Sequence, residues 1–243
     1  MLANQRKTEI ISHNIANINT IGFRSSRPVF SDLVYRKAAG VSEAQLGTGT
    51  RIGSIWRDTS QGALQETGRP YDLAIVGRGF FRLQTPEGES VYTRAGAFTK
   101  DADGRLTDAQ GNLLLDDDDD PIEIPEDAEE VFVAPDGLVS AYVRTRDGEI
   151  ELDEIAQIGL AQFENEQGLV AIGDGLFMAS DASGREDVDN DPAYIRQGVL
   201  EMANVDLSQQ MVDLMIAQQA YALNARAVQT ADQMMALANQ LRG

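Results

Sequence analysis

Leu207 to Leu241, LSQQMVDLMIAQQAYALNARAVQTADQMMALANQL, runs 35 residues without Gly or Pro. Ala, Leu, Met and Gln dominate it, so nothing interrupts a helix and intrinsic propensity favours one. At about 1.5 Å per residue the segment makes a rod of roughly 50 Å. Its apolar positions fall into rows seven apart. Leu214, Tyr221, Val228 and Met235 form one row, and Ala220, Ala227, Met234 and Leu241 form a second. Ile216, Leu223 and Leu237 widen the sticky surface, with Thr230 as the exception. A two-stranded coiled coil needs one narrow seam, whereas these rows wrap well over a third of the cylinder. The helix is therefore expected to touch several neighbours at once.

Charge agrees. From 201 to 243 only Glu201, Asp206, Asp213, Arg226, Asp232 and Arg242 ionise, too few to keep a free helix of this length content in water. Burying about ten of its apolar side chains at roughly 1.5 to 3 kcal/mol each would gain on the order of 15 to 30 kcal/mol before ordering costs. A long core helix of a monomeric domain is the plain alternative. The persistence of the heptad spacing to the chain end and the scarcity of charge on every face argue against it.

The remainder of the chain narrows the function. At 243 residues it can hold one large or two modest domains. It has no Cys and a single His, His13, which removes disulfides, thiol nucleophiles, most catalytic triads and nearly all zinc arrangements. The net charge of -19 argues against nucleic acid and against an anionic membrane surface as partners. That charge is unevenly placed: residues 1–100 carry +5, 101–200 carry -22 and 201–243 carry -2. An acidic third quarter marks a solvated outer domain, while near-neutral ends suit burial in an assembly. No stretch approaches the roughly 20 apolar residues of a membrane span, and the N-terminus lacks the apolar run of a signal peptide.

At the N-terminus, Ile11, Ile15 and Ile18 form one apolar stripe on a helix, and His13 lies away from it. Asn14, Asn17 and Asn19 predict that the helix ends near Asn19 or Thr20, with Gly22 available for a left-handed turn. Phe30, Leu33 and Tyr35 follow as packing residues. Lys37 to Thr50 is rich in Ala, Gly, Ser and Thr and reads as a connector. From about residue 70 the period changes to short β-branched or apolar runs near ten residues apart. Thr85-Pro86-Glu87-Gly88, Asp101-Ala102-Asp103-Gly104 and Gln110-Gly111-Asn112 separate them as turns.

The expected fold is therefore mixed α and β. Terminal helices form a coiled-coil-like element (1–35 with 200–243), 36–69 connects, and 70–199 is an inserted antiparallel β-rich outer domain of sandwich or barrel type. The assembly interface is read as Ile11, Ile15, Ile18, Leu214, Ile216, Tyr221, Leu223, Val228, Met234, Met235 and Leu237.

Catalytic chemistry finds no nominee. Asp116 to Asp120 offers five carboxylates, but adjacent side chains of an extended segment do not build a calcium cage, and a solvated loop is the expectation. Asp101-Ala102-Asp103-Gly104 resembles half a calcium loop whose remaining ligands do not follow, so a hairpin turn is expected. Asp181 to Asp191 is a further acidic stretch, left open as a weak cation candidate. Gly77-Arg78-Gly79 lacks the third glycine and the helix of a dinucleotide fingerprint, and no P-loop is present. No catalytic, cofactor-binding or metal-ligating residues are assigned.

Three stretches, taken together, carry a resemblance. Ser12-His13-Asn14-Ile15-Ala16-Asn17-Ile18-Asn19-Thr20-Ile21-Gly22-Phe23 resembles the N-terminal signature of the flagellar rod and hook axial proteins. Asp72 to Phe81 (DLAIVGRGFF), with Tyr92-Thr93-Arg94 and Gly96 behind it, is similar to the block that follows in that family. Gln197-Gly198-Val199-Leu200-Glu201-Met202-Ala203-Asn204-Val205-Asp206, leading into Gln218 to Gln229, is similar to its C-terminal helix entry. The residues matching the family motif are Asn14, Asn17, Asn19, Gly22, Phe23, Asp72, Gly77, Gly79, Phe80, Phe81, Asn204 and Val205. Leu46-Gly47-Thr48-Gly49 and the Leu214 to Met235 text lean toward the distal part of the rod.

The resemblance implies terminal helices packed into an inner tube, a β domain outside it, and a polymer acting as a driveshaft across the periplasm to the hook. It implies export through the flagellum's own type III channel, with which the lack of Cys is compatible, and further helical turns ahead of the position of Met1. The implied partners are other copies of the chain, other rod proteins, the hook protein and the surrounding ring or bushing proteins. No cofactor, nucleic acid or membrane insertion is implied. Proximal rod and hook-type members of the family stay open as alternatives. Outside the family, the rivals are a secreted oligomeric binding module and a calcium-dependent hydrolase using the acidic loops.

Overall fold

The computed structural model describes residues 2–33, 36–37, 45–46, 49–144, 150–187 and 193–242. Tyr35, most of the Lys37–Thr50 connector with Gly47 and Thr48, and the 188–191 end of the acidic stretch lie outside the described residues. The chain divides into two compact units, one of 1–18, 25–58 and 205–243, the other of 19–24 and 59–204.

The first unit is built on helix α1 (Leu2–Ala16) and helix α2 (Leu207–Arg242). As the sequence predicts, α2 runs unbroken from Leu207. Asp206 starts it by accepting the Gln209 N–H on Oδ1 at 3.1 Å, satisfying one of the donors that every helix N-terminus leaves free. Helix α1 stops earlier than expected, at Ala16. Its last turn closes when the Asn17 side chain donates to the His13 carbonyl at 2.9 Å and the Asn17 backbone N–H reaches the same oxygen at 3.2 Å. Two donors on one carbonyl end the ladder before Asn19. Gly22 does take the left-handed turn, at φ +67°. Beside α1 lies an antiparallel ribbon of Ser26–Asp32 and Thr50–Arg57, where Arg27 stacks on the Trp56 ring at 3.9 Å. The ribbon's Val29, Phe30, Ile55 and Trp56 are largely exposed.

The second unit is β-rich, and every strand pair among the described residues is antiparallel. Its largest sheet runs, strand by strand, Val170–Gly173, Leu176–Met178, Ser90–Thr93, Phe80–Gln84, Leu113–Leu114, Leu106–Thr107 and Thr99–Lys100, with Leu160–Phe163 also on Phe80–Gln84. Among the described residues this path stays open at both ends, so the closed-barrel option in the sequence reading is corrected: the terminal strands do not pair. A three-stranded sheet of Ala128–Val133, Leu138–Arg144 and Ile150–Gln157 accompanies it.

Strand alternation sends neighbouring side chains to opposite faces. Phe81, Leu83 and Val91 join a core with Leu73, Ile75, Leu114, Ile122, Val139 and Ile195. Phe80 and Tyr92 join a second cluster with Phe163, Leu169 and Phe177. Rings there meet edge to face, Tyr92 and Phe163 at 4.8 Å and Phe80 and Phe177 at 5.7 Å, an arrangement that adds to area burial.

Three consecutive turns use one device. Asp101 accepts the N–H groups of Asp103 and Arg105, Asp108 those of Gln110 and Asn112, and Asp116 those of Asp118 and Asp120. The residue three places after each Asp is left-handed, as Gly104, Gly111 and Asp119 respectively. The acidic run is thus a tight loop, its Asp116 occupied with backbone donors and Asp119 paired with Arg82. Asp119 accepts a conformation that glycine adopts freely, at a cost its short polar side chain moderates.

Burial and a 2.7 Å hydrogen bond to Glu186 raise the Tyr92 phenol well above its ordinary range. Because the folded value lies above the unfolded one, its contribution to stability is complete below the ordinary value of 10.0 and is lost as pH rises through the folded value. Urea midpoints compared at about pH 8 and about pH 11 are expected to fall less for Tyr92→Phe than for the parent.

Candidate functional site

Helix α2 leaves its apolar side chains in solvent. Tyr221 is 46% exposed, Ile216 52%, Val228 51%, Met234 62% and Leu223 and Met235 63%, and Leu237 is exposed similarly. Only Leu214 of the sequence-assigned α2 residues is half-buried. From Ala222 to Gln240 every side chain but that of Ala225 is exposed. Nearer its start, α2 packs on α1, burying Ala217. A groove of about 270 Å³ lined by Gln5, Thr8, Glu9, Gln218 and Tyr221 lies along this contact.

On α1 the buried positions are Ile11 and Asn14, while Ile15, and Ile18 just past its end, are half-buried. The apolar-stripe reading is corrected accordingly: a polar residue shares the inner face. Asn14 Nδ2 donates to the Ser26 carbonyl at 2.7 Å and to Gln210 Oε1 at 3.1 Å. Its Oδ1 accepts the Ser26 N–H at 3.0 Å. One amide thereby ties α1, the ribbon and α2 together. Asn14→Ala leaves those half-buried partners unpaired, at about 1 kcal/mol. Hydrogen exchange across residues 2–16 and 26–32 is expected to speed up markedly, with that of 73–83 unchanged.

The parts of the three family-like blocks that belong to the β-rich unit, 19–23, 72–81 with 92–96, and 197–204, come together there, and charge sits beside them. Glu201, 1% exposed, pairs with Arg24 at 2.9 Å and with Arg94 at 3.3 Å. Both arginines are buried as well. The remaining polar atoms are largely absorbed by backbone. Gly62 N–H donates to Glu201 Oε1 at 2.8 Å, Arg94 donates to the Gly77 carbonyl at 2.7 Å and the Ile75 carbonyl at 3.4 Å, and Arg24 donates to the Ser60 carbonyl. Burial and the neighbouring Arg24 push Arg94 down to about 10, against the pull of Glu201, so it keeps its proton at neutral pH. Two cations and one carboxylate share a dry site, and the carbonyl dipoles supply the rest of the compensation.

Backbone crosses backbone here with no room for side chains. A Cβ on Gly22 would fall 2.6 Å from the Ala95 nitrogen, one on Gly62 1.9 Å from the Met202 oxygen, and one on Gly96 1.7 Å from the Leu73 oxygen. Gly96→Ala must therefore separate two chains joined by the 2.8 Å Leu73 N–H to Gly96 carbonyl bond. A loss of about 3 kcal/mol is expected in urea unfolding.

The other motif residues find structural places. Asp72 is buried, accepting the Thr67 hydroxyl at 2.6 Å on its side chain and the Gly198 N–H at 2.7 Å on its carbonyl. Gly77 and Gly79 take φ of 110° and 127°, which explains a Gly-Arg-Gly turn into Phe80 and Phe81. The Asn204 side chain donates to the Ser60 carbonyl at 2.9 Å, and its N–H reaches the Phe23 carbonyl at 3.3 Å. Asn19 is exposed, and Asn17 and Val205 are half-buried. Sequence reasoning gave no role to Arg24, Gly62, Arg94 or Glu201. The available signal was a charge embedded in an apolar run, as Glu201 is between Leu200 and Met202.

Comparison with known proteins assigns these features to a class. Residues 1–24 match the model described as flagella basal body rod protein, 74–141 that of the flagellar hook protein FlgE/F/G D1 domain, and 196–241 that of the flagellar basal body rod FlgEFG protein C-terminal region. These are axial structural proteins of the flagellum, not enzymes. The flagellar basal-body rod protein FlgG of Agrobacterium fabrum is 36% identical over 99% of this chain and 95% of its own length. That of Caulobacter vibrioides is 38% identical over 100% and 96%, and that of Bacillus subtilis 37% over 95% and 91%. The chain belongs to the flagellar basal-body rod protein family.

Proposed function

We propose that the chain is a structural subunit of the distal rod, polymerising through its terminal helices into a hollow helical driveshaft that transmits torque to the hook. The observation that carries this reading is α2 itself. A helix of 36 residues whose C-terminal half exposes Leu223, Val228, Met234, Met235 and Leu237 leaves a broad apolar face in water and reaches its low-energy state among copies of itself. In the polymer, α1 and α2 form the coiled-coil-like inner element (1–35 with 200–243), 36–69 connects, and the acidic β-rich domain (70–199), of sandwich type, lies outside. The assembly residues are those assigned from the sequence, with Ile11, Ile15, Ile18 and Leu214 acting within or beside the helix pair.

Contacts at the ends of the polymer are with other rod proteins and the hook protein. The outer acidic surface faces the ring proteins. Export proceeds through the flagellar type III channel. The relatives' printed name, flagellar basal-body rod protein, supports the location.

Analytical ultracentrifugation of the full chain over a concentration series tests the polymer. The expected result is a heterogeneous, concentration-dependent population of assemblies. A single sharp oligomer mass at every concentration would fit a finite binding module instead and would overturn the reading.

A further inference from the structure

Four of the chain's seven methionines lie on α2. Met211 is 51% exposed, Met215 55%, Met234 62% and Met235 63%. The described methionines elsewhere, Met178 and Met202, are half-buried. With no Cys in the chain, no thiol competes for an oxidant, and thioethers are its only sulfur. Met211 and Met215 stand one helical turn apart near the start of α2. Met235 ends the row of Leu214, Tyr221 and Val228, and Met234 shares a row with Ala220, Ala227 and Leu241.

We infer that these four side chains are an oxidation site for hydrogen peroxide and that their redox state governs whether a free subunit can join the polymer. The inference rests on the polymerisation reading given above. In the reaction the Met sulfur attacks a peroxide oxygen, the O–O bond breaks, an S=O bond forms, and the peroxide leaves as water. The sulfur is oxidised by two electrons and the peroxide reduced by two. The product is a polar, chiral sulfoxide in place of a flexible apolar group. At Met234 and Met235 each sulfoxide puts a polar S=O group into a row of otherwise apolar side chains. A free subunit presents all four sulfurs to solvent. An assembled one withdraws them, so oxidation acts on free subunits before addition and spares the finished polymer.

The test treats the full chain with hydrogen peroxide and maps added oxygen by peptide mass spectrometry. The concentration needed for assembly is then measured by sedimentation. Oxygen is expected first on Met211, Met215, Met234 and Met235, ahead of Met178 and Met202. The critical concentration should rise at least about tenfold. Incubation with a pair of methionine sulfoxide reductases and a thiol restores it. M211L/M215L/M234L/M235L is expected to assemble untreated and to be indifferent to peroxide. Sulfoxide at those four positions with an unchanged critical concentration would overturn the inference. So would a peroxide response that survives in the leucine variant. An untreated parent chain that never assembles sinks the polymerisation reading, and the inference falls with it.

Discussion

Leu223→Asp abolishes rod growth and swimming while the β-rich unit stays folded. The leucine is 63% exposed in the isolated chain, so a single copy loses no packing when it is replaced, and exposed substitutions of this kind cost about 0.5 kcal/mol or less. In the proposed assembly the same side chain is buried, and a carboxylate there meets an apolar surface, with Arg226 at i+3 the cation of its own helix within a turn. Taking the carboxylate out of water, together with the arginine that pairs with it, costs several kcal/mol per copy, and a polymer repeats the penalty at every subunit. The check is twofold. Circular dichroism and urea unfolding of the variant should match the parent within error, and a motility assay of cells carrying it should show no swarm expansion. Normal swimming would contradict the helix-packing account.

Glu201→Ala acts in the opposite sense, on the single copy. It leaves Arg24 and Arg94 buried with no carboxylate between them and removes the acceptor of the Gly62 N–H. Breaking a buried ion pair by deleting one partner costs about 3 to 5 kcal/mol, a large share of a domain's total stability. Urea unfolding should shift by that amount. Glu201→Gln preserves shape and an acceptor, so it separates charge from packing. It should recover only a minor part of the loss, since two cations still lack their counter-charge. Replacing the whole triad by apolar residues is no rescue, because the Gly77 carbonyl loses its guanidinium donor, while those of Ser60 and Ile75 fall back on the Asn204 and Gln61 amides alone.

These two residues also mark what could be read in advance. Leu223 belongs to a local pattern: a helix announces itself through propensity and spacing within a few residues, and both ends of α2 are legible in the sequence. The hairpins were legible for the same reason, since Asp101, Gly104 and Gly111 act on neighbours four or fewer places away. Glu201 is different. Its partners stand at Arg24 and Arg94, and nothing near residue 201 names them. Asn14 shows the same limit. Its neighbours suggested a helix terminator on the polar side, yet its use is fixed by Ser26 and by Gln210, the latter 196 residues along the chain. Helix α1 ends ahead of the Asn-rich stretch because Asn17 turns its side chain back on the His13 carbonyl, a local competition that composition alone does not decide. The resemblance marked these blocks together, and the structure supplies the physical reason that they belong together.

The lead into the β-rich unit and the lead out of it are fastened to each other at the root. Gly22 donates its N–H to the Glu201 carbonyl at 2.8 Å, Arg24 grips the Glu201 side chain, and Asn204 reaches back to Phe23. A tug on residue 24 is therefore met at residue 201 and passes across this clasp to the returning strand, bypassing the sheets that hang beyond it. Strain applied at these two leads is taken up by a clasp only a few residues wide before it reaches the sheets.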